Sequence, residues 1–172
     1  EDVHADDRVR EHDDEDELHH LQQAARDGRH DSVHERAQAL LSEGRAKAMK
    51  GDVQGAISSF EACRGAGRAT SPRTRQVIEG VVLGELGSAY RNLGQYDKAM
   101  EYCTSALAIS REIGNRKNEG MNLGNLGNVC NILGQYDKAQ YDKAIEHYTA
   151  ALVIIREIGD RRGEGTCLGN LG

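Results

Sequence analysis

From about residue 37 onward, apolar residues recur at steps of three and four, the spacing of helices with one buried face. Leu83, Leu86 and Tyr90 form one such stripe, and Leu123, Leu126 and Cys130 repeat it. Each stripe leads through a short turn into a second one built on small residues: Ala99, Cys103 and Ala106, then Ala144, Tyr148 and Ala151. The pattern predicts helix hairpins. A degenerate first hairpin runs through Leu40, Gly44 and Ala48 to about Lys50 and turns at Gly51-Asp52. Its second helix carries Ala56, Phe60 and Cys63, and Gly65, Gly67, Ser71 and Pro72 break the pattern. The second hairpin has a helix from about Arg73 or Thr74 to Leu93, a turn at Gly94-Gln95, and a helix from Tyr96 to Ile113. The third runs from Arg116 to Leu133, turns at Gly134 and returns to Ile158. Gly114-Asn115 and Gly159-Asp160 close these hairpins, Gly suiting a left-handed helix end and Asn the next cap. Ahead of them, Leu18, Leu21, Ala24 and Ala25 mark a short helix ending near Asp27-Gly28. A second start follows at Asp31-Ser32.

The stripes belong to near-copies. LGSAYRNLGQYDKAMEYCTSALAISREIGNR begins at Leu86, and LGNVCNILGQYDKAQYDKAIEHYTAALVIIREIGDR begins at Leu126. Gly44, Gly87, Gly127 and Gly172 anchor the series at intervals of 43, 40 and 45 residues, and removing one copy of the doubled QYDKA restores 40 to the last interval. Only Ala144 keeps the seven-residue spacing to Ala151 that Ala99 has to Ala106. Gln140 to Ala144 is therefore the copy in register, and Gln135 to Ala139 lengthens the turn or adds a turn to the following helix. An interior glycine costs a helix about 1 kcal/mol against Ala. Gly84, Gly87, Gly124 and Gly127 are intelligible where helices pack tightly. A single hairpin buries too little alone, so stacked copies predict an all-α solenoid. The expected organisation is an acidic leader at 1–17, a short helical segment at 18–36, and an array at 37–172. Within the array the repeats span 37–72, 73–115 and 116–160, with a partial fourth at 161–172.

Charge sharpens this division. The 172 residues carry a formal net charge of -6, yet residues 1–36 hold 13 acids against 5 Lys or Arg. The remainder holds 15 acids against 17 bases, too even for the basic stripe that a nucleic-acid binder needs. No apolar run reaches 18 residues, so no membrane span is expected, and nothing resembles a signal segment. Cys63, Cys103, Cys130 and Cys167 lack metal-ligand spacing and fall on packing faces, which suits a reducing cytoplasm. His4, His12, His19, His20, His30 and His34 fit no closed zinc pattern. LGNLG is not a phosphate loop, because no GxxxxGK[ST] accompanies it. Glu101, Asp142 and Glu146 fall on the solvated side of second helices. These readings give no enzyme, no catalytic residue, no metal and no cofactor.

Leu83, Leu86-Gly87, Tyr90, Ala99, Cys103 and Ala106 occupy the signature positions of a tetratricopeptide repeat, and Phe60 and Tyr148 fill its aromatic position in neighbouring copies. The resemblance extends over about residues 37–172. The forty-residue period and the REIGNR and REIGDR closures resemble the long-repeat Pins/LGN-type adaptors of G-protein signalling. Departures are Leu83 and Leu123 where many repeats carry Trp, Cys130 in place of the Tyr at Tyr90, and no closing proline. The resemblance implies a non-enzymatic scaffold, with first helices lining a concave groove that holds a peptide or partner helix. Groove residues would then be Arg45, Ala48, Met49, Val81, Ser88, Arg91, Asn92, Met121, Asn128, Asn131 and Ile132. Asn128 matches the family's groove asparagine, whereas Met121 and Thr166 stand where its arginines begin the helices. Structural residues would be Leu83, Leu86, Gly87, Tyr90, Ala99, Ala106, Leu126, Gly127, Ala144, Tyr148 and Ala151. Two other uses fit the same residues. Leu168 and Leu171 could pack onto another chain or onto further repeats. The array could also be the regulatory arm of a larger signalling protein, its leader lying in the groove in cis.

Overall fold

The computed structural model describes residues 32–135 and 137–171. The leader and the short helix expected near Leu18 to Asp27 lie outside the described residues. What is described is all helical: α1 over 32–49, α2 Val53–Gly67, α3 Pro72–Asn92, α4 Tyr96–Glu112, α5 Arg116–Gly134, α6 Lys138–Glu157 and α7 Arg161–Leu171. Helix α1 runs unbroken across residues 36 and 37, where the sequence reading divides an N-terminal segment from the array.

Local chemistry sets the ends of these helices. After α3, Gly94 takes φ 72, which lets Gln95 N–H reach Tyr90 O at 2.9 Å and Gly94 N–H reach Arg91 O at 3.0 Å. Gly51, Gly114 and Gly159 close α1, α4 and α6 in the same left-handed conformation. The residue after three of these glycines then caps the next helix: Asp52 accepts from Gly55 N–H, Asn115 from Asn118 N–H and Asp160 from Gly163 N–H. Two sequence expectations fail here. Gly65 and Gly67 lie inside α2 rather than breaking it, and α3 starts at Pro72 with Ser71 as its cap. Gly134 is not a turn residue either, for it is the last residue of α5.

The doubled QYDKA explains the second failure. Helix α3 ends five residues past Gly87, whereas α5 continues seven past Gly127; Ala99 is the fourth residue of α4, whereas Ala144 is the seventh of α6. The duplication is thus absorbed as two residues on α5 and three on α6, and the connection keeps three residues. With α5 extended, Gly134 is needed for closeness instead: a Cβ there would lie 2.8 Å from the Tyr141 backbone.

Helices α2 to α7 pack each against its chain neighbours, α3 also touches α5, and α1 lies on α2 through Ala37 and Gly44. Each of the three anchor glycines among the described residues receives the central side chain of the following helix. Gly44 faces the Phe60 ring, Gly87 faces Cys103 Sγ, and a Cβ on Gly127 would lie 2.6 Å from the Tyr148 ring. Tyr148 therefore stands where Cys103 and Phe60 stand, with Gln140 to Ala144 in the matching register. Leu83, Leu86, Gly87, Ala99, Ala106, Leu126, Gly127, Ala144, Tyr148 and Ala151 are all buried. Tyr90 is half-buried and stacks on Tyr102 with ring centroids 5.2 Å apart.

Gly124 departs from the packing expected of it. A Cβ on Gly84 would lie 2.6 Å from Oδ1 of buried Asn122, but one on Gly124 meets nothing within 4 Å. Gly124→Ala should therefore stabilise the protein by about 0.5–1 kcal/mol, the helix-propensity difference without a clash. Chemical denaturation of the variant beside the parent checks this.

Ion pairs recur at the junctions between hairpins. Arg64 of α2 binds Glu79 of α3 at 2.8 Å, Arg111 of α4 binds Glu119 of α5 at 3.0 Å, and Arg156 of α6 binds Glu164 of α7 at 2.7 Å. Glu119 also accepts from Arg116 at 2.6 Å. Burial pushes the Glu119 carboxyl up, but the hydrogen bonds from Arg111 and Arg116 outweigh it and hold the pKa below its ordinary value. A carboxylate with a lowered folded pKa contributes stability above its unfolded pKa and loses it as pH falls through the folded one. Since both arginines are half-exposed, Glu119→Gln should cost about 1 kcal/mol at neutral pH. Melting curves from pH 7 down to pH 3 should show parent and variant converging at the acid end.

Candidate interaction face

The first helices of successive hairpins share one face. On a helix each residue turns about 100°, so positions six and two before an anchor glycine, and one after it, lie about 100–160° from the glycine. That is the side turned away from the packed partner helix. On α3 these positions are Val81, Glu85 and Ser88; on α5 they are Met121, Asn125 and Asn128. Arg45 on α1 and Thr166 and Asn170 on α7 continue the series.

Two concavities result. One, of about 290 Å³, is lined by Arg45, Val81, Glu85 and Ser88 on one side and by Lys117, Asn118, Met121, Asn122 and Asn125 on the other. The other, of about 310 Å³, lies between α5 and α7. Its walls are Lys117, Met121, Asn125, Asn128, Arg162, Thr166 and Asn170, with Ile155, Ile158 and Cys167 supplying apolar surface. Lys117, Met121 and Asn125 line both, so the two concavities share a wall.

The polar groups are unevenly committed. Arg45 is already bound to Glu85, with contacts of 2.7 and 2.6 Å. Asn128 Oδ1 accepts from the Tyr148 hydroxyl at 2.8 Å and from Asn170 Nδ2 at 3.1 Å. Burial pushes the Tyr148 phenol up to about 12, so it stays a protonated donor. With its oxygen occupied, Asn128 presents its N–H donors. Asn122 is buried and donates to Ser110 Oγ at 3.1 Å, so it serves packing rather than the open face. Lys117 and Arg162 carry no ion pair among the described residues. Met121, 50 % exposed, is the apolar element of the shared wall.

The sequence-selected groove residues divide. Arg45, Val81, Ser88 and Met121 line the first concavity, and Met121 and Asn128 line the second. Ala48, Met49, Arg91, Asn92, Asn131 and Ile132 line neither. The reason is angular. A residue four past the anchor returns to about 40° from the glycine, towards the packed side, and one five past it lies near the end of the helix. Met49 is the last residue of α1 and Asn92 the last of α3. Glu85, Lys117, Asn118, Asn125, Arg162 and Asn170 were not selected from the sequence. The usable signal for Glu85, Asn125 and Asn170 is the position two before each anchor glycine, about 160° from it.

Among the described residues no cluster of three or more His, Cys, Asp or Glu could hold a metal ion. No helix among them is long and apolar enough to cross a membrane. His4, His12, His19, His20 and His30 lie outside the described residues.

Residues 79–141, from α3 into α6, match the family described as Tetratricopeptide repeat. No curated protein matches the chain. This region is a tetratricopeptide-repeat domain, a class that generally mediates protein–protein interaction and is typically non-catalytic.

Proposed function

We propose that the first-helix face binds an extended polypeptide segment, and that the chain works as a protein-interaction scaffold. The observation that carries this reading is the pair of adjoining concavities sharing Lys117, Met121 and Asn125. The Asn125 carboxamide can donate to one peptide group and accept from the next, and Asn128, its oxygen already taken by Tyr148 and Asn170, adds N–H donors beside it, which suits a strand's repeating backbone. Met121 offers an apolar contact to a side chain, and Lys117 and Arg162 favour an acidic residue. The hairpins' regular forty-residue step supports solenoid stacking, and the closures support kinship with Pins/LGN-type adaptors. Four free, buried thiols support a reducing compartment such as the cytoplasm.

The test begins with peptides selected from a displayed library on the full chain, with affinities measured by calorimetry. Asn125→Ala with Met121→Ser should weaken the best peptide about tenfold or more, near 1.4 kcal/mol. Asn92→Ala with Asn131→Ala, outside both concavities, should leave it unchanged. Equal affinity for all three proteins would sink the groove reading. A second reading, self-association, rests on Leu168, 45 % exposed on α7. Light scattering that shows a monomer at every concentration removes it.

A further inference from the structure

The junction between α2 and α3 is unlike the other two. All three share the Arg-to-Glu link described above, and a second fastening follows each of the first two: Gln76 to Glu112, and Arg116 to Glu157. At the later junctions Arg111 and Arg116 are held by Glu119, and Arg156 and Arg161 by Glu164, which leaves Arg162 as the one arginine there without an ion pair among the described residues. The first junction carries three additional exposed arginines, Arg68, Arg73 and Arg75, that no carboxylate among the described residues holds. Arg75 donates to the backbone oxygen of Arg68 at 2.8 Å, which leaves its charge uncompensated. Arg64, Arg68 and Arg75 border an open hollow of about 360 Å³ with Gln76, Glu79 and Ile109. Glu61 and Glu79 are engaged by Arg64, and Glu112 by Gln76.

The described chain begins, at the start of α1, beside this place. Residues 1–31 carry 12 acids against 4 Lys or Arg, a net charge of -8, in a protein whose remainder is net +2. Cys63 Sγ donates to Ala37 O at 3.1 Å, which sets α1 beside α2. The two helices are antiparallel across a short turn. Five residues back from Ala37 to Ser32 and five on from Cys63 to Arg68 therefore lead to the same end of the hairpin, each by about 7.5 Å. The acidic run from Glu11 to Glu17 stands fifteen residues before Ser32 at its nearer end, well within reach of that end.

We propose that the acidic N-terminal segment docks in cis on Arg68, Arg73 and Arg75. Carboxylates of residues 11–17 pair with guanidinium groups that the repeats leave unmatched, as Glu119 and Glu164 do at the later junctions. The contact is separate from the first-helix face, so it leaves the groove open and covers the outer edge of the first junction.

Paramagnetic relaxation on the full chain tests this. The four native cysteines are buried, so a nitroxide placed through His12→Cys labels one site. Amide signals of residues 64–76 should lose intensity several-fold, while those of residues 120–170 keep theirs. The intensity should return in 0.5 M NaCl, where screening shortens charge interactions, and in the variant Arg68→Ser, Arg73→Ser, Arg75→Ser. These three side chains are exposed, and an unchanged melting temperature confirms that the variant is folded. Loss spread evenly over the chain, loss centred on residues 117–128, or loss that persists in the triple variant overturns the proposal. Loss that grows with protein concentration assigns the contact to a second chain and overturns it equally.

Discussion

Tyr148→Ala is expected to cost about 3–5 kcal/mol, the range for removing a fully buried aromatic. Its ring is 1 % exposed and covers the face of Gly127, where no other side chain can follow it inwards. The cavity would open between α5 and α6. In a chain of this size each kcal/mol moves the melting temperature by about 2–4 °C, so the loss should approach 10 °C or more. Tyr148→Phe separates the two roles of the residue. It keeps the ring against Gly127 and removes only the hydroxyl given to Asn128, at a cost of about 1 kcal/mol. If the alanine variant melted within 2 °C of the parent, the packing account of the third hairpin would be wrong.

Gly87→Val is the second large effect, and it arises from too much volume rather than too little. A Cβ on Gly87 would run into Cys103 Sγ, with the Cys103 backbone nitrogen at 3.3 Å and Ala99 O at 3.4 Å. The side chain could be displaced, but the backbone of α4 cannot yield without parting from α3. Overpacking of this kind costs about 3 kcal/mol, several times what valine returns in helix propensity over glycine. Cys103→Ala in the same protein removes the sulfur but leaves the two backbone contacts. It should therefore recover only part of the loss, and a double-mutant cycle by denaturant unfolding measures how much. Full recovery would mean that the sulfur alone sets the helix separation.

The two glycines of each LG-x-LG stretch show how far the sequence could be read. Gly84 and Gly124 occupy equivalent positions, and local sequence treats them alike. Their surroundings differ because the residue opposite Gly84 is Asn122, while the equivalent residue forty-five positions on is Cys167. The shorter cysteine leaves Gly124 without a neighbour, and the space belongs to the second concavity instead. That difference lies between repeats, where periodicity within one repeat carries no information. Helix ends were legible for the opposite reason. Gly51-Asp52, Gly114-Asn115 and Gly159-Asp160 set both a left-handed end and the next cap within two residues. Gly134 looked the same as Gly94 but lost its turn, because five extra residues changed where the flanking helices stop. On the proposed interaction face, Arg45, Val81, Ser88, Met121 and Asn128 could be chosen from the anchor glycines. Asn125 and Glu85 needed the full turn angle, because the wall they form faces away from the very glycine used to find it.

The way the duplicated QYDKA is housed separates two kinds of boundary in the chain. At a hairpin tip the paired helices simply grow, by two residues on α5 and three on α6, and Tyr148 and Ile154 keep the glycine partners that Cys103 and Ile109 have. The junctions have no such freedom, since each combines a left-handed glycine or a capped proline start with an arginine-to-glutamate link fixed in length. Tips are thus the sites where this chain can gain length without retuning its core. An affinity tag, a fluorescent reporter or a foreign loop inserted between Gln135 and Asp137 should leave both neighbouring repeats intact, whereas the same insertion after Gly114 would part α4 from α5.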